Sequence, residues 1–233
     1  MKVLLILIAF GLLLYAGYSA LRFSGKYQAS KKLIEAARGY EREGVGSPSL
    51  LVLGDSTAVG VGAARPDDTV AGRLATFMGA VYVENHARSG AVVADMPGQV
   101  AKASRDRYDV VLVQIGGNDI IRFHSAESRA RALEDALNAL PKAERTYLMT
   151  AGNVGAATLF PWPVRFFHTR LNLRYHGAFR GIAERLGIIY VNLYEDPRTD
   201  PFVQESQRYL SADGLHPSSE GYGLWFNELE ASR

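Results

Sequence analysis

A chain of 233 residues that is 48% hydrophobic can bury one sizeable core, and its length favours a single globular domain over two. A formal net charge of +2, with no dense Lys/Arg tract set among aromatics, argues against a dedicated nucleic-acid binder. The absence of cysteine rules out disulfides, thiolate metal sites and thiol nucleophiles.

The first predicted element is residues 3–21, VLLILIAFGLLLYAGYSAL, which carry no charge. As a helix this run is roughly 28 Å long at about 1.5 Å per residue, close to the roughly 30 Å hydrocarbon core of a bilayer. Residues 1–22 are therefore read as a single-pass N-terminal membrane anchor. The competing reading is an export signal removed by cleavage. Tyr18-Ser19-Ala20 speaks against it, because a bulky residue stands where cleavage wants a small one. Arg22, Lys26, Lys31 and Lys32 outweigh Lys2, which by the positive-inside tendency puts the following chain in the cytoplasm. Short basic starts also feed export, so the sequence leaves the side of the membrane open. Residues 23–46 read as a polar connecting helix, with Leu33, Ile34, Ala37 and Tyr40 at helical spacing for packing onto a domain that fills residues 47–233.

Beyond residue 47 the pattern alternates. Short aliphatic runs at 50–53, 81–84, 110–114, 146–150 and 188–193 are separated by helical periodicity at 70–78, 127–140 and 175–186. Near-continuous apolar strands alternating with helices predict an α/β fold, a three-layer α/β/α sandwich around a mostly parallel sheet. Ligands of such sheets sit beyond the carboxyl ends of the strands, so the residues after each run carry the functional reading.

After the first run come Gly54, Asp55 and Ser56. Ser56 reads either as the cap of the next helix or as a nucleophile whose own N–H could serve an oxyanion. The following GVGA matches no phosphate-binding motif, and G-x-S-x-G is also missing. After the second run, Ser89-Gly90 can present a backbone N–H; after the third, Asn118 of GGND offers an amide donor. Near the C-terminus, Asp213 and His216 sit three residues apart around a glycine, with Pro217 at a plausible first helical position. A carboxylate so spaced can accept the Nδ1 proton of the imidazole and leave Nε2 to take a proton from a serine. Each feature alone has an ordinary reading as a turn or a cap. Their conjunction on one rim of a sheet supplies a nucleophile, donors, a base and its orienter.

In that order, GDS at 54–56, Gly90, GGND at 116–119 and Asp213-x-x-His216 resemble the four blocks of the SGNH hydrolase superfamily, the GDSL esterases and lipases, over roughly residues 50–225. The resemblance implies a flavodoxin-like sheet, with Ser56 as nucleophile, His216 as general base and Asp213 as its orienter. It also implies an oxyanion hole built from the Ser56 N–H, the Gly90 N–H and the Asn118 side chain. The expected activity is hydrolysis of carboxylic esters through an acyl-enzyme, with no metal or cofactor. Lipid or lysolipid esters are favoured, in the manner of bacterial lysophospholipases and thioesterases; carbohydrate O-acetyl esters, or acyl transfer through the same intermediate, are the alternatives. His86, His124, His168 and His176 show no metal-ligand spacing. Leu159, Phe160, Trp162, Phe166 and Phe167 could wall an acyl pocket, form a lid near a membrane or simply pack on the sheet. Arg165, Arg170, Arg174, Arg180 and Arg185 could attract anionic head groups or form a solvated face.

Overall fold

Leu50, Leu51, Val52 and Leu53 have no solvent exposure, because the strand they form is covered on both faces. In the computed structural model, which describes residues 2–232, five strands build one parallel sheet. They are β1 (Ser49–Gly54), β2 (Tyr82–Asn85), β3 (Arg107–Gln114), β4 (Lys142–Met149) and β5 (Ile189–Val191), in the order β2-β1-β3-β4-β5. Around them lie α1 (Lys2–Ala36), α2 (Ser56–Val59), α3 (Val70–Phe77), α4 (Met96–Val100), α5 (Gly117–Ile121), α6 (Ala126–Asn138), α7 (Trp162–Leu186), α8 (Pro201–Gln204), α9 (Ser206–Tyr209) and α10 (Ser219–Ala231). Successive side chains of a strand point to opposite faces, so two cores form. Leu51, Leu53, Val111 and Val113 pack with Leu133 of α6 and with Tyr175 and Phe179 of α7. Leu50, Val52 and Leu112 pack with Leu74 of α3 and with Tyr222 and Trp225 of α10. This is the three-layer sandwich expected from the sequence.

The chain steps outward from β1 to β2 and then returns across β1 to β3. That reversal opens a crevice between the carboxyl ends of β1 and β3, where parallel sheets bind their ligands.

Three elements differ from the sequence-based expectation. The connecting helix does not reach residue 46. It is continuous with the apolar run as α1 and ends at Ala36, after which the chain runs along the outer strand. There Arg42 forms an isolated antiparallel bridge with Val83, and its guanidinium donates to the Ala80 carbonyl at 2.6 Å. These contacts cover an otherwise open edge, which outweighs the helical spacing of residues 37–46. Second, the helix expected at 175–186 begins at Trp162. Pro163 fits its first turn, where no intrahelical N–H is needed. Third, Pro217 does not open a helix. It bridges Leu210, and α10 starts at Ser219 with Ser218 as its cap.

Residues 3–21 of α1 are almost wholly exposed, and the helix is long and apolar enough to cross a membrane by length and composition. Its polar half lies on the domain. Ser30 is buried, and Lys26 donates to the Thr158 hydroxyl.

Candidate active site

The site begins with the glycine that ends β1. Gly54 has φ +140°, and a Cβ there would fall 1.9 Å from the Gln114 carbonyl oxygen of β3, so no other residue fits. The Gln99 side chain clamps the same residue from both sides, accepting from Gly54 N at 2.7 Å and donating to Gly54 O at 2.8 Å. The next residue, Asp55, accepts from both Thr57 N (2.9 Å) and Thr57 Oγ1 (2.8 Å) and so caps α2. Capping therefore falls to Asp55, which frees the Ser56 hydroxyl for another partner. Burial pushes the pKa of Asp55 up to about 6 in spite of those two hydrogen bonds.

That partner is His216. Its Nε2 lies 2.9 Å from Ser56 Oγ, and its Nδ1 lies 2.6 Å from Asp213 Oδ2. Asp213 is fully buried, and its other oxygen accepts from Ser211 Oγ (2.9 Å), Leu215 N (2.9 Å) and His216 N (3.0 Å). Burial opposes ionisation of this carboxyl. The His216 hydrogen bond and charge, with the two backbone donors, outweigh burial and hold the pKa well below the usual carboxylate range. The loop reaches Ser56 because Gly62 lets it approach: a Cβ at Gly62 would lie 2.4 Å from the Pro217 carbonyl and 3.1 Å from His216 Cβ. Of the glycines after Ser56, Gly62 thus serves close packing of the histidine loop, and Gly60 serves close packing against Thr69.

Ser56, Gly90, Asn118 and His216 line one cavity of about 150 Å³. The Gly90 N–H makes no hydrogen bond to another described residue, and the Ser56 N–H, first of its helix, has no intrahelical acceptor. Asn118 Nδ2 donates to the Ala91 carbonyl at 3.0 Å, which orients the amide and leaves its second hydrogen. The remaining wall is mainly apolar, with Ile121, Val154, Leu215 and Trp225. None of Leu159, Phe160, Trp162, Phe166 or Phe167 contributes to it, which removes the acyl-wall reading of that segment.

Two contributions were missed by sequence reasoning. Asp119 of GGND is fully buried, accepts from Val93 N at 2.9 Å and pairs with Arg129 (2.9 Å) and His124 (3.1 Å). It ties α5, which carries Asn118, to the segment just beyond Gly90. The acid next to Asn118 was the available signal. The second is Ser30 and Ile34 of α1, one helical turn apart, which complete the cavity wall from outside the domain. Nothing in their local sequence distinguishes them. The other histidines are engaged elsewhere: His86 with Glu84 at 2.7 Å, His168 between the Phe123 and Phe160 rings, and His176 with Tyr190 at 2.5 Å. Among the described residues no group of three or more histidines and carboxylates is placed to hold a metal ion.

A hydroxyl, an imidazole and a carboxylate in series at the carboxyl edge of a parallel sheet, beside free N–H groups, define the arrangement of an α/β serine hydrolase. Residues 52–224 match the model of the GDSL-like Lipase/Acylhydrolase family, and the chain belongs to that family. A GDSL-like esterase of Mycobacterium tuberculosis is 28% identical over 184 residues, which are 75% of this chain and 58% of that protein. The chain thus spans little more than half of that relative's length. Among solved structures, an extracellular lipase from Streptomyces rimosus superposes with a TM-score of 0.58 at 15% identity, covering 80% of this chain and all of that one. An acetylxylan esterase from Geobacillus stearothermophilus, solved as a catalytic mutant, gives 0.56 at 19%, covering 82% and 95%. At such identities the likeness concerns the fold.

Proposed function

We propose that the protein is a membrane-tethered serine esterase acting on lipid or lysolipid esters. The observation that carries this reading is the unbroken series Asp213, His216, Ser56 at 2.6 and 2.9 Å, opening into a cavity with an apolar wall. Ser56 Oγ attacks the ester carbonyl carbon while His216 Nε2 takes its proton, and Asp213 steadies the resulting imidazolium. The N–H groups of Ser56 and Gly90 and the Asn118 amide receive the charge that develops on the carbonyl oxygen. His216 then protonates the departing alcohol, and a water activated by the same imidazole releases the acid from Ser56. Residues 1–22 hold the domain at a membrane.

The apolar lining favours an aliphatic acyl group over a sugar, whose hydroxyls would want polar partners. Asp55 is already committed to Thr57, which leaves few polar side chains free in that wall. Carbohydrate O-acetyl esters and acyl transfer to an alcohol remain the competing substrates. The test is fluorophosphonate labelling together with lysolipid hydrolysis by the detergent-solubilised full chain. Wild type should label and turn over, and Ser56→Ala should lose both. Hydrolysis by Ser56→Ala at the wild-type rate would overturn the scheme; turnover confined to acetyl esters would overturn the lipid preference.

A further inference from the structure

The stretch where α1 leaves the domain runs beside the beginning of α7. Tyr15, Tyr18 and Arg22 of α1 face Trp162 and Arg165 across a cleft of about 200 Å³. At about 1.5 Å of rise per residue, Tyr18 lies roughly 4.5 Å and Tyr15 roughly 9 Å inside the end of the apolar run at Leu21. Once residues 3–21 span a bilayer, that cleft therefore runs from the outer acyl-chain region at Tyr15 and Tyr18 to the head-group boundary at Arg22.

Trp162 of the cleft, and Phe166, Phe167 and Arg170 that follow it along α7, suit that boundary. Trp162 is 72% exposed, Phe166 46% and Phe167 58%, an aromatic group of the kind that settles at a membrane boundary. Arg170 lies over the Phe166 ring at 4.7 Å and Arg22 over the Tyr18 ring at 5.6 Å. Among the described residues no carboxylate pairs with Arg22, Arg165 or Arg170. Like charges on Arg22 and Arg165, flanking one cleft, would both gain from an anion between them. Arg165 also donates through Nε to the Gly155 carbonyl at 2.7 Å, within the turn whose Val154 and Ala156 line the catalytic cavity.

We propose that this face docks into the head-group layer of an anionic bilayer, with Trp162, Phe166 and Phe167 at its boundary and a lipid phosphate between Arg22 and Arg165. The proposal rests on the reading of residues 1–22 as a membrane anchor. Docking turns the domain so that the turn lining the catalytic cavity lies next to the lipid surface.

The test uses the full chain reconstituted in vesicles of phosphatidylcholine and phosphatidylglycerol, with acyl chains brominated just below the head groups. Tryptophan fluorescence is the readout, and Trp225, which is 7% exposed, supplies the background seen in Trp162→Phe. Bromolipid should quench the wild type, and that quenchable part should be lost in Trp162→Phe. It should fall several-fold in Arg22→Gln/Arg170→Gln and in phosphatidylcholine alone. Protein that resists carbonate extraction while Trp162 is quenched by aqueous iodide, and not by bromolipid, would overturn docking and leave the anchor standing. Equal quenching in neutral and anionic vesicles would overturn the phosphate assignment. Extraction by carbonate would remove the anchor reading and this proposal together, without touching the esterase.

Discussion

Asp213 spends one oxygen on three donors and the other on a single imidazole N–H. Held in this way it cannot rotate, so His216 is left with Nε2 as an acceptor aimed at Ser56. Asn118 has a comparable division of labour, since one of its amide hydrogens is committed to Ala91. Its other hydrogen is the one proposed to meet the oxyanion. Asn118→Ala should therefore lower kcat by about 10² to 10³ with little change in KM, as expected for a contact made mainly in the transition state. Steady-state kinetics on a short-chain ester would check this, and an unchanged kcat would exclude Asn118 from the hole. At this scale the candidate groups stood out by conjunction, since Ser56 and Asn118 follow strands and Asp213 and His216 flank Gly214, while each alone reads equally as a turn or a cap. The division between Asp55 and Ser56 was not legible. Both residue types cap helices, and only the Thr57 contacts decide which one does.

The elements show why some boundaries escaped the sequence. α7 is fastened to the sheet through a buried histidine: His176 Nε2 donates to the Ala151 carbonyl at 3.2 Å, while Nδ1 accepts from Tyr190 of β5. Thr150 in turn lies 3.1 Å from the Tyr190 hydroxyl. The carbonyl can only accept, which fixes the neutral tautomer. Burial, the largest influence, lowers the His176 pKa from 6.5 to about 4; the Ala151 bond opposes this and Arg180 adds to it. The unfolded imidazole binds a proton between these two values and the folded one does not. Its contribution is therefore complete above about pH 6.5 and is lost as pH falls towards about 4, a change of about 3 kcal/mol. The penalty for His176→Gln in thermal unfolding should accordingly be larger near neutrality than in acid. A penalty independent of pH would contradict the tautomer assigned here. Strand-helix alternation made the sheet predictable, since its apolar runs are nearly continuous. The ends of α1 and α7 depend on an edge that needs covering and a proline tolerated in a first turn, which periodicity does not register.

On the scale of the whole molecule, the catalytic cavity is completed by a helix that belongs to no part of the sandwich. Ser30 and Ile34 line it from about 14 and 20 Å along α1, counted from the end of its apolar run. Sequence spacing indicated that Leu33, Ile34, Ala37 and Tyr40 would pack on the domain; Tyr40 does join the core, but the spacing could not say that Ile34 would line the candidate site. A wall supplied by α1 would couple the space available to substrate to the position of that helix. If Ile34 bounds the acyl group, Ile34→Trp should shorten the chain accepted by adding bulk at the rim of the cavity, where Ile34 is 40% exposed. A series of p-nitrophenyl esters from acetyl to palmitoyl checks this, with kcat/KM falling steeply for long chains and far less for acetyl. A uniform fall across the series would mean that the helix supports the fold without shaping the cavity, and an unchanged profile would mean that α1 stands clear of the acyl group during turnover.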